Sequence, residues 1–227
     1  MGRRKHDLLT IYHSLFERFG PQHWWPGETP FEMIIGAVLT QNTSWTNVEK
    51  AISSLKASGH FSPDKLFELP AETLAGLIRS SGYFNIKAKR LKNFLSFLFE
   101  EYEGNIDKLL REDCPTLRHK LLKVNGLGPE TVDSILLYAA GYPVFVVDAY
   151  TRRIFSRHGF ETMAHGYDKI QSLFMDNIRK DPVLFNEYHA LIVRVGKELC
   201  KKKPLCNLCP LEYDLQKKSK NAIKEGK

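Results

Sequence analysis

Apolar residues recur at intervals of three and four along most of the 227-residue chain, which is the period of α-helices with one buried face. Two clear stripes occupy residues 8–16 and 91–102. Thr29 followed by Pro30 is a typical helix start, and Glu32 completes a capping box with Thr29. The pattern therefore predicts an all-α fold.

The order of the helical segments predicts how the chain is divided. A long helical middle, 29–140, is flanked by segments from both ends of the chain, 1–28 and 141–215, which we expect to combine. This arrangement predicts two helical lobes with a cleft between them. The strand-like segment YPVFVVDAY is short and isolated, so we expect an extended connection there. Residues 216–227 are rich in lysine and predict a solvated basic tail.

The net charge of the chain indicates which classes of molecule it could bind. The chain has 33 Lys and Arg residues against 26 Asp and Glu residues, a formal net charge of +7, which favours polyanions, although many basic proteins bind no nucleic acid. The basic N-terminal segment lacks the uncharged apolar stretch of a signal peptide. No run approaches the roughly 18 apolar residues needed to span a bilayer. We therefore expect a soluble cytoplasmic protein without membrane contacts.

The segment 124–139, VNGLGPETVDSILLYA, places two glycines directly before a helix that begins at Pro129. Because Gly126 and Gly128 lack Cβ atoms, another backbone or a ligand can approach the turn closely. The first amides of the following helix have no intrahelical partners, and a phosphate can occupy such a position. A tight helix-helix connection without a ligand is the commoner explanation of a bare G-x-G, so the motif alone does not establish DNA binding.

Together with VFVVDAYTRRIFSRHG downstream, this segment resembles the helix-hairpin-helix DNA glycosylases, the superfamily that includes endonuclease III. The resemblance covers about residues 8–210 and implies damaged double-stranded DNA as the partner of a nucleoid-associated monomer. It also places the essential aspartate of the family at Asp148. A carboxylate can stabilise the positive charge that develops on deoxyribose as the bond between base and C1′ breaks. Capping of the following helix is the alternative role of Asp148.

The hairpin departs from the bifunctional members of the family at one position. In those members a lysine two residues after the second glycine attacks C1′ and forms a Schiff base. The matching residue here is Glu130, and a carboxylate cannot form a Schiff base. The departure implies a monofunctional glycosylase that uses Asp148 and water. The DNA-binding residues that the resemblance implies in the hairpin are Gly126, Gly128, Pro129, Glu130 and Thr131.

All three tryptophans of the chain lie between residues 24 and 45. A flipped base is held between aromatic faces, and an electron-poor alkylated base stacks well on an indole. Burial in the core is the alternative. The segments WWP, LTQNTSW and SGYFNIKAKRL are similar to those of the bacterial 3-methyladenine glycosylases of the endonuclease III branch. That similarity implies a base pocket walled by Trp24, Trp25, Pro26 and Trp45.

Further DNA contacts are implied outside the hairpin. Gln41 matches the glutamine that the family inserts into the DNA stack in place of the flipped base, and a polar helix end is the alternative. Lys87, Lys89 and Arg90 lie within four residues, as phosphate contacts or as an ordinary solvated helix face. The sequence does not choose between these two interpretations.

Three of the four cysteines, Cys200, Cys206 and Cys209, cluster near the carboxyl end, which in a reducing compartment favours metal ligands over disulfides. Endonuclease III relatives often hold a [4Fe–4S] cluster with the spacing C-x6-C-x2-C-x5-C. Here the first gap has five residues, the fourth position is Leu215, and Cys114 lies far upstream. Three alternatives stay open: a loop without metal, a cluster with an unusual fourth ligand, or a zinc site. The chemistry itself requires no cofactor.

The sequence thus predicts a monofunctional DNA N-glycosylase that excises alkylated purines such as 3-methyladenine in base excision repair. One alternative is an endonuclease III-like glycosylase and AP lyase for oxidised pyrimidines or mismatched bases. A DNA-binding protein without catalysis, in which the hairpin grips phosphates, is the second.

Overall fold

The computed structural model describes residues 7–24 and 27–214. Within these residues the regular structure is helical, with twelve α-helices and no strand, which confirms the predicted all-α class. The predicted basic tail, 216–227, lies outside the described residues. In the part of the chain that is described, no helix has the length and apolar character needed to cross a membrane.

The chain divides into two compact units. The first, the terminal unit, combines Met1–Trp24 with Pro143–Lys227, and the second, the central unit, is Trp25–Tyr142. The predicted lobes had slightly different bounds, 1–28 plus 141–215 and 29–140. The helices in chain order are α1 (Leu8–Phe19), α2 (Pro30–Leu39), α3 (Trp45–Ala57), α4 (Pro63–Glu68), α5 (Ala71–Leu77), α6 (Phe84–Tyr102), α7 (Ile106–Leu110), α8 (Cys114–Lys123), α9 (Pro129–Ser134), α10 (Ala149–Arg157), α11 (Tyr167–Met175) and α12 (Pro182–Glu198).

In the central unit, α6 is the longest helix, and it packs against α2, α4 and α5. Its apolar residues fall on one face, and Leu91, Leu95 and Leu98 are fully buried. The start of α2 follows the prediction, since Thr29 Oγ1 accepts a hydrogen bond from the backbone N–H of Glu32 at 3.2 Å. After α9 the chain makes one π-helical turn, Ile135–Ala139, which packs against α2.

In the terminal unit, α12 packs against both α1 and α10. The approach to α10 is close at Gly196, where a Cβ atom would lie 2.2 Å from the ring of Tyr150. A glycine is therefore required at this contact. The core of the unit is aromatic, and the rings of Phe145 and Phe174 stack with centroids 3.9 Å apart.

The strand-like segment before α10 is an extended connection, as predicted. Residues 141–148 belong to no helix or strand, yet Val144, Phe145, Val146 and Val147 are all buried. The segment is apolar because it passes through the core of the terminal unit, not because it pairs in a sheet. This connection delivers the chain to Asp148 at the start of α10.

Candidate active site

Asp148 is the N-cap of α10, and the residue is 9% exposed. Its Oδ1 atom accepts hydrogen bonds from the backbone N–H of Thr151 at 2.7 Å and from Thr151 Oγ1 at 2.8 Å. Thr151 Oγ1 in turn accepts from the Asp148 N–H at 3.5 Å, which completes a capping box. The structural role that the sequence offered as an alternative is therefore present. This capping role uses one oxygen of the Asp148 carboxylate, Oδ1.

The other carboxylate oxygen faces a buried histidine. His189 Nε2, on α12, lies 3.6 Å from Asp148 Oδ2, and both side chains are about nine-tenths buried. On its other side the imidazole stacks against Trp24, with ring centroids 5.8 Å apart and planes inclined by 26°. Carboxylate, imidazole and indole thus form one contiguous group within the terminal unit.

The environment of Asp148 changes its acidity. Burial raises the pKa of this carboxyl group, because the charged form loses its water. The contacts with His189 and Thr151 favour the charged form and outweigh burial, so the pKa lies below the ordinary aspartate value. We conclude that Asp148 is an ionised, buried carboxylate at neutral pH.

A second group of contacts joins the hairpin to two other elements of the central unit. Gln41, just after α2, donates from Nε2 to the carbonyl oxygen of Gly126 at 3.3 Å and to Thr131 Oγ1 at 2.8 Å. Arg90 of α6 donates to Gln41 Oε1. Asn93 of α6 donates to the carbonyl oxygen of Asn125 at 2.8 Å. In this structure Gln41 therefore holds the hairpin from within the protein.

The two hairpin glycines have different structural requirements. Gly126 has φ of +97°, and a Cβ atom there would lie 2.3 Å from Cγ of Arg90, so both backbone conformation and packing require glycine. Gly128, the N-cap of α9, has an ordinary φ of −87°, is exposed, and would bring its Cβ within 4 Å of no other atom. Glu130 is exposed in the first turn of α9. The fold thus explains Gly126, and it leaves open space at Gly128.

The predicted base-pocket residues fall in both units. Trp24 is half-buried and meets His189, as described above. Trp45, the first residue of α3, lies in the central unit and lines an open cavity of about 660 Å³. Carboxylates in the lining outnumber cations, with Glu28, Glu32 and Glu49 against Lys56. The other two predicted wall residues, Trp25 and Pro26, lie outside the described residues.

Comparisons with known proteins identify the family of the chain. Residues 35–180 match the family described as "HhH-GPD superfamily base excision DNA repair protein". The chain belongs to the HhH-GPD superfamily. It is 48% identical, over 96% of its length, to the whole of a candidate DNA repair glycosylase of Methanocaldococcus jannaschii. The chain is therefore a DNA repair glycosylase of this superfamily.

Two solved structures of the same superfamily are similar along most of the chain. The 3-methyladenine DNA glycosylase of Helicobacter pylori bound to 1,N6-ethenoadenine is 28% identical with a TM-score of 0.74, covering 85% of this chain and 98% of that one. An endonuclease III in a non-covalent complex with DNA is 25% identical with a TM-score of 0.81, covering 96% and 97%. The chain is thus similar both to a 3-methyladenine DNA glycosylase and to an endonuclease III.

The structure corrects one of the basic residues assigned to DNA. Lys87 is 1% exposed, and its ammonium group donates to the carbonyl oxygens of Leu39 at 2.8 Å and Ser81 at 2.6 Å. It is therefore a buried structural lysine and is not available to a phosphate. Lys89 is exposed, whereas Arg90 is half-buried beside Gln41. Sequence reasoning failed for Lys87 because a basic run on a helix does not reveal which member faces inward.

Three side chains of this HhH-GPD protein were not predicted from the sequence: Tyr83 and Ile86 near the start of α6, and His189 beside Asp148. Tyr83 is 68% exposed with φ of +46°, a left-handed conformation that is uncommon for a bulky residue, and nearby Ile86 is 52% exposed. They form an apolar surface at the start of α6. Tyr83 could have been recognised from its position. It directly follows Gly82 and lies before the buried apolar stripe of α6, so the sequence gives it no place in the core. His189 had no local signal, since its partner Asp148 is 41 positions away.

The cysteine cluster does not have the geometry of a metal site. Cys200, Cys206 and Cys209 line one cavity of only about 20 Å³. Among residues 7–24 and 27–214, no group of three or more His, Cys, Asp or Glu side chains is arranged to hold a metal ion. Arg157 donates a hydrogen bond to Cys200 Sγ at 3.1 Å, and burial raises the pKa of the Cys209 thiol. The fourth family position, Leu215, lies outside the described residues.

Proposed function

We propose that this HhH-GPD glycosylase is monofunctional and removes alkylated purines such as 3-methyladenine, using Asp148 and water at C1′ and leaving the DNA strand unbroken. The observation that carries the proposal is Glu130. It occupies the hairpin position at which the bifunctional enzymes of the family carry their nucleophilic lysine, and it is exposed in the first turn of α9. A carboxylate at that position cannot form the Schiff base that precedes strand cleavage.

Among the lysines of residues 7–24 and 27–214, Lys87 has an amine whose pKa is lowered far enough to suit a Schiff-base role. Burial, together with the charge of Arg90, lowers the pKa of its amine to about 8, in the range of nucleophilic lysines. However, the amine is enclosed and already donates to two carbonyl oxygens. A sugar carbon cannot approach it without opening the central unit. Lys87 therefore does not replace the missing hairpin lysine.

Asp148 has the properties that hydrolysis needs. Its pKa below the ordinary value keeps it negatively charged at neutral pH, so it can stabilise the positive charge that develops on the sugar. Thr151 fixes Oδ1, which leaves Oδ2 as the oxygen with a single contact, to His189, among the described contacts. We assign the interaction with the reacting sugar, or with the attacking water, to Oδ2.

An electron-poor purine is the substrate class that the aromatic residues favour. Trp24 presents an indole beside the Asp148 and His189 pair, and indole faces attract cationic rings. The cavity at Trp45 carries more carboxylates than cations, which favours a positively charged alkylated base over a neutral one. The Helicobacter pylori 3-methyladenine DNA glycosylase was solved with 1,N6-ethenoadenine, a modified adenine, bound. These observations support 3-methyladenine-type substrates.

DNA binding follows from charge and from the hairpin. The formal charge of +7 attracts the phosphate backbone, and the open space at Gly128 allows a phosphate to approach the hairpin amides. Because such contacts position DNA without reading its sequence, we expect steep salt dependence and little sequence preference.

The deciding experiment incubates the protein with duplexes that carry single lesions, including 3-methyladenine, thymine glycol and a mismatched thymine. The released base and the remaining strand are analysed separately. Free 3-methyladenine with an intact strand is the expected result. Trapping with borohydride is expected to give no covalent adduct with wild type. Glu130→Lys places an amine in the hairpin, and Glu130→Gln serves as its matched control. An adduct with the lysine variant alone would show that the residue at position 130 decides whether a Schiff base forms.

A second candidate is endonuclease III-like excision of oxidised pyrimidines with strand cleavage. It is favoured by the TM-score of 0.81 with the endonuclease III complex, which exceeds the 0.74 of the 3-methyladenine enzyme. Release of thymine glycol with nicking by wild type, together with a borohydride adduct, would select this candidate and overturn the first.

A further inference from the structure

The two oxygens of the Asp148 carboxylate have different surroundings. Oδ1 accepts both hydrogen bonds from Thr151, and those bonds also start α10. The two Thr151 bonds restrain the carboxylate through Oδ1 only, so any direct contact with Oδ2 must come from another element. The contact that restrains Oδ2 comes from a different helix, through His189 at 3.6 Å.

His189 is held in place by its own neighbours. It lies on the buried side of α12, between Tyr188, whose hydroxyl donates to the carbonyl oxygen of Leu8 at 2.8 Å, and the buried Ala190. The imidazole face stacks on Trp24. A ring packed in this way can change neither its position nor its plane easily, so it is a rigid reference for the carboxylate.

We propose that His189 is a positioning residue for Asp148: its Nε2 side fixes the Oδ2 oxygen toward the reacting sugar, while its ring face supports Trp24 as a wall for the base. This inference rests on the proposed glycosylase function. It joins the two requirements of that function, a directed carboxylate and an aromatic wall, in one side chain. The two roles use different parts of the imidazole and are therefore separable by substitution.

Other titratable side chains on the surrounding elements have contacts elsewhere. Arg153 of α10 donates to the carbonyl oxygens of Gly196, near the end of α12, and Cys200, just beyond that helix. Glu187 accepts a hydrogen bond from the backbone of Gln22, and Tyr12 of α1 packs on Tyr188. Among the described contacts, the charged group that faces His189 is Asp148.

Two substitutions separate the roles. His189→Phe keeps a flat ring against Trp24 and removes the polar contact with Asp148. His189→Gln keeps an N–H group within reach of Asp148 and removes the stacked ring. We expect His189→Phe to lower kcat by up to about 100-fold with little change in KM, because a misdirected carboxylate affects the chemical step. We expect His189→Gln to retain most of kcat and to raise KM about tenfold, because the base loses part of its wall.

Matched controls are His165→Phe and His165→Gln, at an exposed histidine of the same unit, and both are expected to behave like wild type. If His189→Phe and His189→Gln lower kcat equally and leave KM unchanged, the residue is only part of the core and the inference is overturned. The double variant His189→Phe with Asp148→Asn tests whether His189 acts through Asp148. Since His189 acts through Asp148, His189→Phe should cause no further loss of activity once Asp148 is replaced.

A titration of the Asp148 carboxyl carbon by NMR tests the contact without using activity. The pKa of Asp148 is lowered in part by His189, so His189→Phe should raise it, while His165→Phe should leave it unchanged. An unchanged pKa in His189→Phe contradicts the inference even where the variant is too unstable for kinetics. If wild type releases no base from any duplex, the proposed function fails, whereas a shifted pKa would still support the contact.

Discussion

The group around Asp148 and the group around the hairpin are built in opposite ways. In the terminal unit, Asp148, His189 and Trp24 are side chains that meet through tertiary packing, and the carboxylate is nearly buried. In the central unit, the turn of the hairpin presents backbone groups rather than side chains, because it contains two glycines. Gly128 is exposed, and Gln41 donates a hydrogen bond to the carbonyl oxygen of Gly126. A buried charge can direct chemistry, whereas exposed backbone N–H groups can donate hydrogen bonds to a phosphate. The comparison predicts that substitutions in the first group affect catalysis and those in the second affect binding.

The largest expected effect is on the catalytic group. Asp148→Asn should lower single-turnover base release by about 1,000-fold, because the charge that stabilises the sugar is lost. Folding should be largely retained, since the asparagine oxygen can still accept from the Thr151 N–H. DNA affinity measured by fluorescence anisotropy should stay near the wild-type value. Full excision activity in this variant would remove Asp148 from the mechanism.

The hairpin glycines provide a matched pair. Gly126→Ala should lower the free energy of unfolding by about 3 kcal/mol, because alanine is strained at φ of +97° and its Cβ would overlap Arg90. Gly128→Ala should change stability by less than about 0.5 kcal/mol. It should instead weaken DNA binding, since the new methyl group occupies the space left for a phosphate. Denaturant unfolding measures the stability, and fluorescence anisotropy measures the DNA affinity. If Gly128→Ala and wild type bind DNA equally well, no phosphate lies against this turn.

The two neighbouring lysines form a second pair. Lys87→Met should cost about 2 kcal/mol of stability, because the Leu39 and Ser81 carbonyl oxygens lose their buried donor. Lys89→Gln should leave stability unchanged and should reduce the slope of log affinity against log salt by about 1 if Lys89 contacts a phosphate. Salt titrations of DNA affinity in both variants test whether Lys89, rather than Lys87, contacts a phosphate. A reduced salt slope in a folded Lys87→Met variant would contradict the structural role of Lys87.

The smallest expected effect is the pH dependence of stability. The pKa of Asp148 is lower in the folded protein than in the unfolded chain, so its charge stabilises the fold above about pH 4, and this contribution is lost as the pH falls through the folded pKa. Asp148→Asn has no such contribution. Between pH 7 and pH 3 the Tm of wild type should therefore fall further than the Tm of the variant, and parallel curves would show that the carboxylate titrates normally.

Local patterns predicted the fold class, the start of α2 and the glycine turn, because periodicity, caps and glycine turns are encoded by neighbouring residues. The resemblance to the glycosylase family, rather than a local pattern, singled out Asp148. The role of Lys87 was mistaken, since its burial depends on how α6 packs. His189 was missed because its contact with Asp148 joins two helices distant in sequence. Gly126 and Gly128 were given one shared explanation, although only Gly126 has a conformation that requires glycine.

The capping box at Asp148 has an evolutionary consequence. One side chain both starts a helix and carries the charge assigned to chemistry, so a lineage that abandoned base excision would still be selected to keep a cap there. Asparagine, serine and threonine are the replacements that preserve the helix start while removing the negative charge. A descendant with one of these residues at position 148 would fold and bind DNA yet leave lesions in place, and this single codon would distinguish it from an active repair enzyme.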